Sequence, residues 1–267
     1  MKYCRFLHEG RAIYGAIEDR NGEFWIAGPA PAPEEDLAYQ LAIGKSTPAF
    51  APLPLSKAQL LPPVTPSKIV CVGRNYREHA RELGNEVPTQ PLLFFKPPSS
   101  LLAPRGIVKL PAASERVDFE GELAVVIGRR ARNLPVDADW RTVVRGFTLA
   151  NDISARDLQK KEPQWARAKG FDTFCPVGPL VSDEIDLDAG LTIETRQNGE
   201  LKQHASTRDF IFSLPVLLSF ITGAFTLEPG DLVLTGTPSG VAQLNPGDRV
   251  EVSIPGLGSL VNTVEAG

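Results

Sequence analysis

The sequence contains few cysteines and shows no N-terminal targeting segment. Its three cysteines, Cys4, Cys71 and Cys175, form no CxxC pair. A disulfide scaffold and a thiolate zinc site are therefore both disfavoured, and a reducing cytoplasm is the expected compartment. Residues 1–5 lead into neither the apolar run nor the cleavage site that a signal peptide requires.

The chain also lacks a long apolar run and an excess of charge of either sign. Its longest apolar stretch, residues 210–225, is interrupted by polar residues and a proline, which makes it too short to span a bilayer. Lysine and arginine number 28 and aspartate and glutamate 32, so the net charge is -4. This mixed charge predicts no nucleic-acid partner and no membrane partner.

Prolines divide the chain into two unequal parts. Six of them fall between residues 48 and 66, which is the composition of a linker. The sequence therefore predicts a small β-containing N-terminal domain with its connector over residues 1–62 and a main domain over residues 63–267. In the first part, Asn21-Gly22 predicts a hairpin turn, and a group of acids predicts the start of a helix over Pro33–Ile43.

The main domain is rich in short strands separated by glycine and proline. The predicted strands are Ile69–Val72, Leu92–Phe95, Leu123–Ile127, Val143–Asn151, Leu191–Arg196, Leu232–Thr235 and Arg249–Ile254. The predicted helices are fewer and short, at Arg77–Leu83, Ala155–Lys160 and Ser213–Ile221. Because strands do not alternate with long helices, we expect an α+β fold, a β-rich mixed roll with short helices, and disfavour a doubly wound parallel sheet.

Two glutamates, Glu120 and Glu122, stand just before an apolar run, Leu123–Ile127, which predicts a buried strand. Residues two apart on a strand share a face, so the two carboxylates repel each other unless a cation lies between them. A second apolar strand ends at Asp152, which offers a third carboxylate. Three oxygen ligands suit Mg²⁺ or Mn²⁺ better than zinc, although an exposed, solvated strand end would show the same pair.

Three further segments carry candidate chemistry. His79 and Glu82 face each other if their segment is helical, an arrangement that suits a general base but is also common on charged surface helices. Lys169 is predicted in a loop, from which it would either reach an anionic substrate or be solvated. Thr237 lies in a glycine-rich turn, residues 234–240, whose N–H groups could bind a carboxylate.

Taken together, these segments resemble the fumarylacetoacetate hydrolase family over roughly Lys68 to the C-terminus. The matching blocks, in chain order, are Cys71–Tyr76 with His79 and Glu82, Phe94–Pro97, Asp118–Leu123, Asn151–Gln159 and Leu234–Pro238. The resemblance implies that residues 63–267 are the catalytic domain, with the family's mixed β-roll fold. It also implies a homodimer with a flexible lid, for which Leu83–Pro91 is the candidate segment.

The resemblance implies specific roles for residues of this chain. The metal ligands would be Glu120, Glu122 and Asp152, holding Mg²⁺, Mn²⁺ or Ca²⁺. Catalysis would fall to the His79–Glu82 pair, which activates water in the family's hydrolases, and to Lys169. The implied substrate-binding residues are Arg74, Tyr76, Arg156, Gln159 and Thr237.

The activity expected from this resemblance is hydrolysis of a carbon–carbon bond in a small 2,4-dioxo acid, an acylpyruvate such as a fumarylpyruvate- or fumarylacetoacetate-like compound. Isomerisation or decarboxylation of hydroxymuconate-type dioic acids, or decarboxylation of oxaloacetate, would use the same motifs. In each case the partner is a small 2-oxo acid. A third possibility, from a different class, is a binding protein whose metal is only structural.

Overall fold

The computed structural model describes residues 1–30, 49–82, 84 and 86–267. The helix predicted over Pro33–Ile43 lies outside these residues, as do Leu83 and Asn85 of the predicted lid. Within the described ranges, no helix has both the length and the apolar character needed to cross a membrane.

Strands dominate the structure and helices are short. In chain order the strands are β1 (Lys2–His8), β2 (Arg11–Arg20), β3 (Glu23–Ala30), β4 (Leu53–Pro54), β5 (Gln59–Leu61), β6 (Ile69–Gly73), β7 (Leu92–Lys96), β8 (Leu101–Leu102), β9 (Ile107–Leu110), β10 (Val117–Asp118), β11 (Gly121–Ile127), β12 (Val144–Asn151), β13 (Ser154–Ala155), β14 (Cys175–Ser182), β15 (Thr192–Gln197), β16 (Glu200–Ser206), β17 (Leu232–Leu234), β18 (Arg249–Ile254) and β19 (Gly258–Ala266). The α-helices are α1 (Arg77–Glu82), α2 (Arg156–Lys161), α3 (Ala166–Gly170) and α4 (Leu214–Ala224). Short 3-10 turns lie at Leu55–Lys57, Pro98–Ser100, Trp140–Thr142 and Thr207–Asp209.

Most of the described strands form one large mixed sheet, in the order β4-β3-β2-β1-β14-β12-β11-β17-β6-β7. A second sheet has the order β16-β15-β18-β19-β9, and β10 pairs with β13 apart from both. The predicted α+β roll, rich in strands and poor in helices, is confirmed. Strands β17 and β6 pair in parallel, whereas β11 pairs antiparallel with both β12 and β17, so the main sheet is mixed.

Strand β11 lies at the centre of the fold because its whole sequence is apolar after Glu122. Every residue from Gly121 to Ile127 is buried. One main core cluster packs Leu123 and Val125 with helix α4, and another packs Ala124 and Val126 on the opposite face. A strand covered on both faces reads as a continuous apolar run, which is what the sequence shows.

The N-terminal hairpin predicted at Asn21-Gly22 is formed by β2 and β3. Strand β1 pairs with β2 and also with β14, where Tyr3 lies opposite Val181, so the N-terminal strands extend the main sheet. The boundary proposed at residue 62 stays a prediction.

Two local expectations are wrong or incomplete. Lys169 does not lie in a loop but in helix α3, where its backbone N–H donates to the Trp165 carbonyl oxygen over 2.9 Å. Strand β14 was not predicted, because Pro176, Gly178 and Pro179 lie within it and such residues usually exclude a central strand. It nevertheless joins β12 to β1, with an irregular register against β12.

Candidate metal centre and active site

The pairing of β11 with β12 brings three carboxylates together. Gly121 lies opposite Asn151, so Asp152, the next residue, lies beside Glu120, and its N–H donates to the Glu120 carbonyl oxygen over 2.8 Å. Glu120, Glu122 and Asp152 each offer one oxygen, and these oxygens lie within 4.8 Å of one another. All three side chains are buried, at 4%, 2% and 1% exposure. The structure therefore brings the three predicted ligands together, and their buried side chains do not lie at a solvated strand end.

Gly121, between the two glutamates, is required by close packing. A Cβ built at this position would lie 2.1 Å from Thr195 Oγ1, and such a distance is not tolerated. The Gly121 N–H donates to Gln203 Oε1 over 3.0 Å, and the Glu120 N–H donates to Asn151 Oδ1 over 2.9 Å. Side chains from neighbouring segments thus fix the backbone that presents both carboxylates.

Three buried cations surround the carboxylates. Lys169 Nζ donates to Glu120 Oε2 over 2.8 Å and to Asp152 Oδ2 over 2.6 Å. Lys96 Nζ donates to the other Asp152 oxygen, Oδ1, over 2.6 Å. Arg156 donates from Nη2 to Glu120 Oε1 and from Nε to Asp118 Oδ2, the latter over 2.9 Å.

The cations are distributed unevenly, and the pKa values follow that distribution. Burial alone would raise the pKa of Glu120, but Arg156 and Lys169 together hold it below its ordinary value. Burial, together with the charges of Asp152 and Glu120, raises the pKa of Glu122 well above its ordinary value. Among the described residues, Glu122 forms no ion pair, and its one donor is the Gly236 N–H at 2.7 Å.

This arrangement fits a hard divalent cation. The candidate ligands are oxygens alone, which favours Mg²⁺, Mn²⁺ or Ca²⁺ over softer metals. Among the described residues, no cation forms an ion pair with Glu122, so its ionised form is disfavoured, and a metal held by all three carboxylates would supply the missing positive charge. These residues would therefore hold the ion.

A histidine–glutamate pair lies beside the cluster. On helix α1, His79 Nδ1 lies 3.2 Å from Glu82 Oε2, as the spacing predicted. His79 is 3% exposed, and Glu82 Oε1 accepts the Gly240 N–H over 2.9 Å, so the glutamate is held from a second segment. Burial raises the pKa of Glu82, but its bonds from His79 and Gly240 lower it overall. Since Nδ1 faces Glu82, Nε2 is the nitrogen left for proton transfer.

One cavity of about 210 Å³ joins these groups. It is lined by Val72, Gly73, Arg74, His79, Phe94, Glu120, Glu122, Asp152, Arg156, Gln159, Lys160, Trp165, Lys169 and Thr237. The three candidate ligands, the histidine, Lys169 and four of the five predicted substrate-binding residues thus meet around one space. Gln159 Oε1 accepts from Arg156 Nη1 over 2.9 Å, and Thr237 Oγ1 donates to the Gly121 carbonyl oxygen over 3.0 Å.

Two predicted site residues are not among the lining residues of this cavity. Glu82 reaches it only through His79. Tyr76 is buried against Phe210, with ring centroids 5.1 Å apart, and lines a different cavity near Arg208. A role for Tyr76 in substrate binding stays a prediction, and any such role would require the two cavities to communicate.

Lys96 was not singled out from the sequence as a site residue. It ends strand β7, is 1% exposed and lies behind Asp152, outside the residues that line the cavity. The available signal was one lysine closing the apolar run Leu92–Phe95, because lysines are almost never fully buried unless paired. Its partner, 56 residues away, could not be identified without the tertiary structure.

The fold and the site define an enzyme class in which a buried cluster of three carboxylates, a candidate metal centre, lies beside a histidine and a lysine. The chain belongs to the fumarylacetoacetate hydrolase family, since the family described as fumarylacetoacetate (FAA) hydrolase C-terminal matches residues 68–265. Enzymes of this family generally use divalent metal ions, in agreement with the carboxylate cluster.

Individual relatives are similar over most of the chain. Protein Rv2993c of Mycobacterium tuberculosis is 44% identical over 90% of this chain and 92% of its own length. The oxaloacetate tautomerase YisK of Bacillus subtilis is 42% identical over 79% of this chain and 74% of its own. The crystal structure of 2-hydroxyhepta-2,4-diene-1,7-dioate isomerase from Mycobacterium marinum has a TM-score of 0.85 at 38% identity, over 100% of this chain and 98% of that one.

Proposed function

We propose that this protein is a divalent-metal-dependent enzyme that interconverts the keto and enol forms of a small 2-oxo acid, or moves the double bond of a related dienol. The observation that carries the proposal is the single cavity in which three carboxylates, Lys169 and His79 meet. Two relatives are named a tautomerase and an isomerase. Keto–enol exchange moves a proton between the 2-oxo oxygen and the carbon next to it, whereas migration of the double bond of a 2-hydroxy-2,4-diene delivers the proton to the far end of the conjugated system. Both reactions need a stabilised enolate.

The chain's own residues support binding of an anionic substrate. Arg74 and Lys169 bring positive charge to the cavity, and the Thr237 hydroxyl lies at its wall. A bound divalent cation would act as a Lewis acid on the 2-oxo group and stabilise negative charge on its oxygen. Lys169, 2% exposed and bridging two carboxylates, would hold the substrate carboxylate or the enolate oxygen by a charge-assisted hydrogen bond.

His79 is the group best placed to move the proton. In tautomerisation, Nε2 would take a proton from the carbon next to the 2-oxo group and return it to the enolate oxygen. In double-bond migration, it would take the dienol O–H proton and return it to the distal carbon of the dienolate. Glu82 fixes the ring through Nδ1 and stabilises the imidazolium form while the proton is held. Neither reaction consumes water, so the same groups serve tautomerisation and double-bond migration. The proton that they transfer exchanges with solvent while it is on the imidazole or the enol oxygen.

Hydrolysis of an acylpyruvate is the second candidate, and the His79–Glu82 pair is the observation that favours it. A histidine oriented by a partly buried glutamate also suits removal of a proton from water. The water would attack the distal carbonyl carbon, and the bond to the enolate carbon would break with the electron pair passing to the enolate. Mg²⁺ is the expected cation in either case, with Mn²⁺ and Ca²⁺ as the alternatives.

Proton-transfer and isotope measurements separate the two activities. We would assay oxaloacetate, a 2-hydroxy-2,4-dienedioate and a panel of acylpyruvates with Mg²⁺ and with Mn²⁺. Isomerase activity predicts metal-dependent deuterium uptake at carbon from D₂O with no cleavage. Hydrolase activity predicts cleavage products carrying ¹⁸O from labelled water. Absence of both across the panel, with metal bound, would refute the enzymatic proposal.

His204 provides a matched control for the histidine. His204 Nδ1 lies 3.2 Å from Glu194 Oε1, the same separation as in the His79–Glu82 pair, but its side chain is 59% exposed and does not line the candidate active site. H204A should therefore retain wild-type turnover, whereas H79A should lose at least about a hundredfold, the usual contribution of a general base.

A further inference from the structure

Each candidate metal ligand has one oxygen that accepts a hydrogen bond from a donor other than Lys169. Glu120 Oε1 accepts from Arg156, and Glu122 Oε2 accepts the Gly236 N–H over 2.7 Å. Asp152 Oδ1 accepts from Lys96 Nζ over 2.6 Å. Three different segments supply these donors, so the pattern is a property of the tertiary structure.

The second oxygen of each carboxylate is held only by Lys169 or, for Glu122, by no described donor. Glu120 Oε2 and Asp152 Oδ2 share Lys169, which lines the cavity, and no donor reaches Glu122 Oε1 within the described ranges. Lys169 can therefore turn from the carboxylates toward a ligand in the cavity. A cation bound there would meet one free oxygen from each acid.

Lys96 differs from Lys169 in having no such freedom. Its ammonium lies between Asp152 Oδ1 and the Ile153 carbonyl oxygen, at 2.6 and 3.2 Å, and it is not a lining residue of the cavity. It is one of the largest fully buried side chains of the described residues. Neither substrate nor solvent can draw it away, so Asp152 Oδ1 stays occupied.

We propose that Lys96 is a positioning residue that restricts Asp152 to one metal-facing oxygen and thereby favours Mg²⁺ and Mn²⁺ over Ca²⁺. This inference rests on the metal dependence proposed above. Three single-oxygen carboxylates leave three positions of an octahedron for water or a chelating 2-oxo acid, which is the coordination that Mg²⁺ demands. Ca²⁺ takes six to eight oxygens and often binds a carboxylate through both, which Lys96 prevents at Asp152.

The variant K96M tests this role. Without the ammonium, Asp152 Oδ1 would face the Ile153 carbonyl oxygen, and two acceptors repel. The carboxylate would turn its second oxygen toward the cation. By isothermal titration calorimetry we expect the ratio of Ca²⁺ to Mg²⁺ affinity to rise at least about tenfold, since an additional carboxylate oxygen suits the larger ion.

Lys169 gives a charge-matched control. K169M also removes one positive charge from Asp152, but it leaves Oδ1 occupied by Lys96. It should raise the affinities for both ions together and leave their ratio unchanged. K68M removes the lysine that pairs with the buried Asp231, outside the carboxylate cluster. It should lower the stability of the protein and leave the affinities for Mg²⁺ and Ca²⁺ unchanged. Equal ratios in K96M and K169M would overturn the proposal.

A structure of the wild-type protein with Mn²⁺ gives an answer that does not depend on any variant folding. We expect Asp152 to bind through Oδ2 alone, with Lys96 still in contact with Oδ1. A two-oxygen Asp152 with Lys96 displaced would contradict the role of Lys96 while leaving the metal site intact. Failure of the wild-type protein to bind any divalent ion in the calorimeter would instead contradict the proposed function.

Discussion

Glu122 offers the sharpest test of the candidate metal centre, because its buried carboxyl group should cost stability in the metal-free protein and bind the cation in the metal-loaded one. The variant E122Q removes the charge and keeps the shape, and its amide oxygen can still accept the Gly236 N–H. We expect E122Q to be more stable than the wild type in a chelator and less stable than the wild type in excess Mg²⁺.

The magnitude follows from proton linkage. The unfolded Glu122 ionises near its ordinary pKa of 4.5, whereas burial beside Asp152 and Glu120 raises the pKa of the folded group. Between those two pKa values the folded state binds more protons, so the free energy of unfolding falls as pH rises, by about 1.4 kcal/mol per pH unit. At pH 7 the cost is at most about 3 kcal/mol.

Thermal unfolding with a chelator from pH 5 to pH 8 measures this effect. The melting temperature of E122Q should exceed that of the wild type by up to about 5–10 °C at pH 7, with the difference closing toward pH 5. Mg²⁺ at a hundred times its Kd should add about 2.7 kcal/mol to the wild type and much less to E122Q.

Glu251 serves as a control of opposite sign. Burial raises its pKa, but hydrogen bonds from Ser259 and Arg249 lower it overall, so its charge stabilises the folded state above the unfolded pKa. E251Q should therefore lose the same amount of stability at neutral pH with and without Mg²⁺, and Mg²⁺ should stabilise it as much as it stabilises the wild type. Parallel melting curves for the wild type and E122Q across the pH range would refute the reasoning about the carboxylate cluster.

Three further changes have defined outcomes. H79A should lower turnover at least about a hundredfold while leaving the Kd for Mg²⁺ within about twofold, and a matched loss of metal affinity would argue against a role in proton transfer. D231A removes the buried partner of Lys68 and should cost about 3–5 kcal/mol in urea unfolding, where a loss below about 1 kcal/mol would contradict the importance of this pair. G236A should weaken Mg²⁺ binding, because Gly236 has φ +99 and an added Cβ would lie 2.7 Å from Asn75 Cβ. The resulting shift would move the N–H that donates to the Glu122 carboxylate, and an unchanged affinity would show that this N–H is not needed.

Much of the metal centre could be predicted from local sequence. The alternation of a strand places Glu120 and Glu122 on one side, and the apolar runs before Asp152 and after Glu122 predict buried strands. The spacing of His79 and Glu82 likewise predicts a contact within one helical turn. These are short-range consequences of backbone geometry, so they hold without knowledge of the rest of the fold.

Longer-range features could not be predicted in this way. Strand β14 contains two prolines and a glycine, and only its place between β12 and β1 makes it a strand. Tyr76 is a predicted substrate-binding residue at the end of the block Cys71–Tyr76, yet its ring packs on Phe210 and lines another cavity. Local propensity is weak in both places, and tertiary packing decides the outcome.

The sequence by itself determined which side chains are acids, bases and cations, and which of them lie close along the chain. The tertiary structure decided which cation meets which carboxylate oxygen. Lys96 and Lys169 are alike in chemistry, but one is enclosed behind Asp152 and the other faces the cavity. Access to the cavity separates their roles, because a charge enclosed by protein cannot exchange its partner for a ligand, whereas a charge at a cavity wall can.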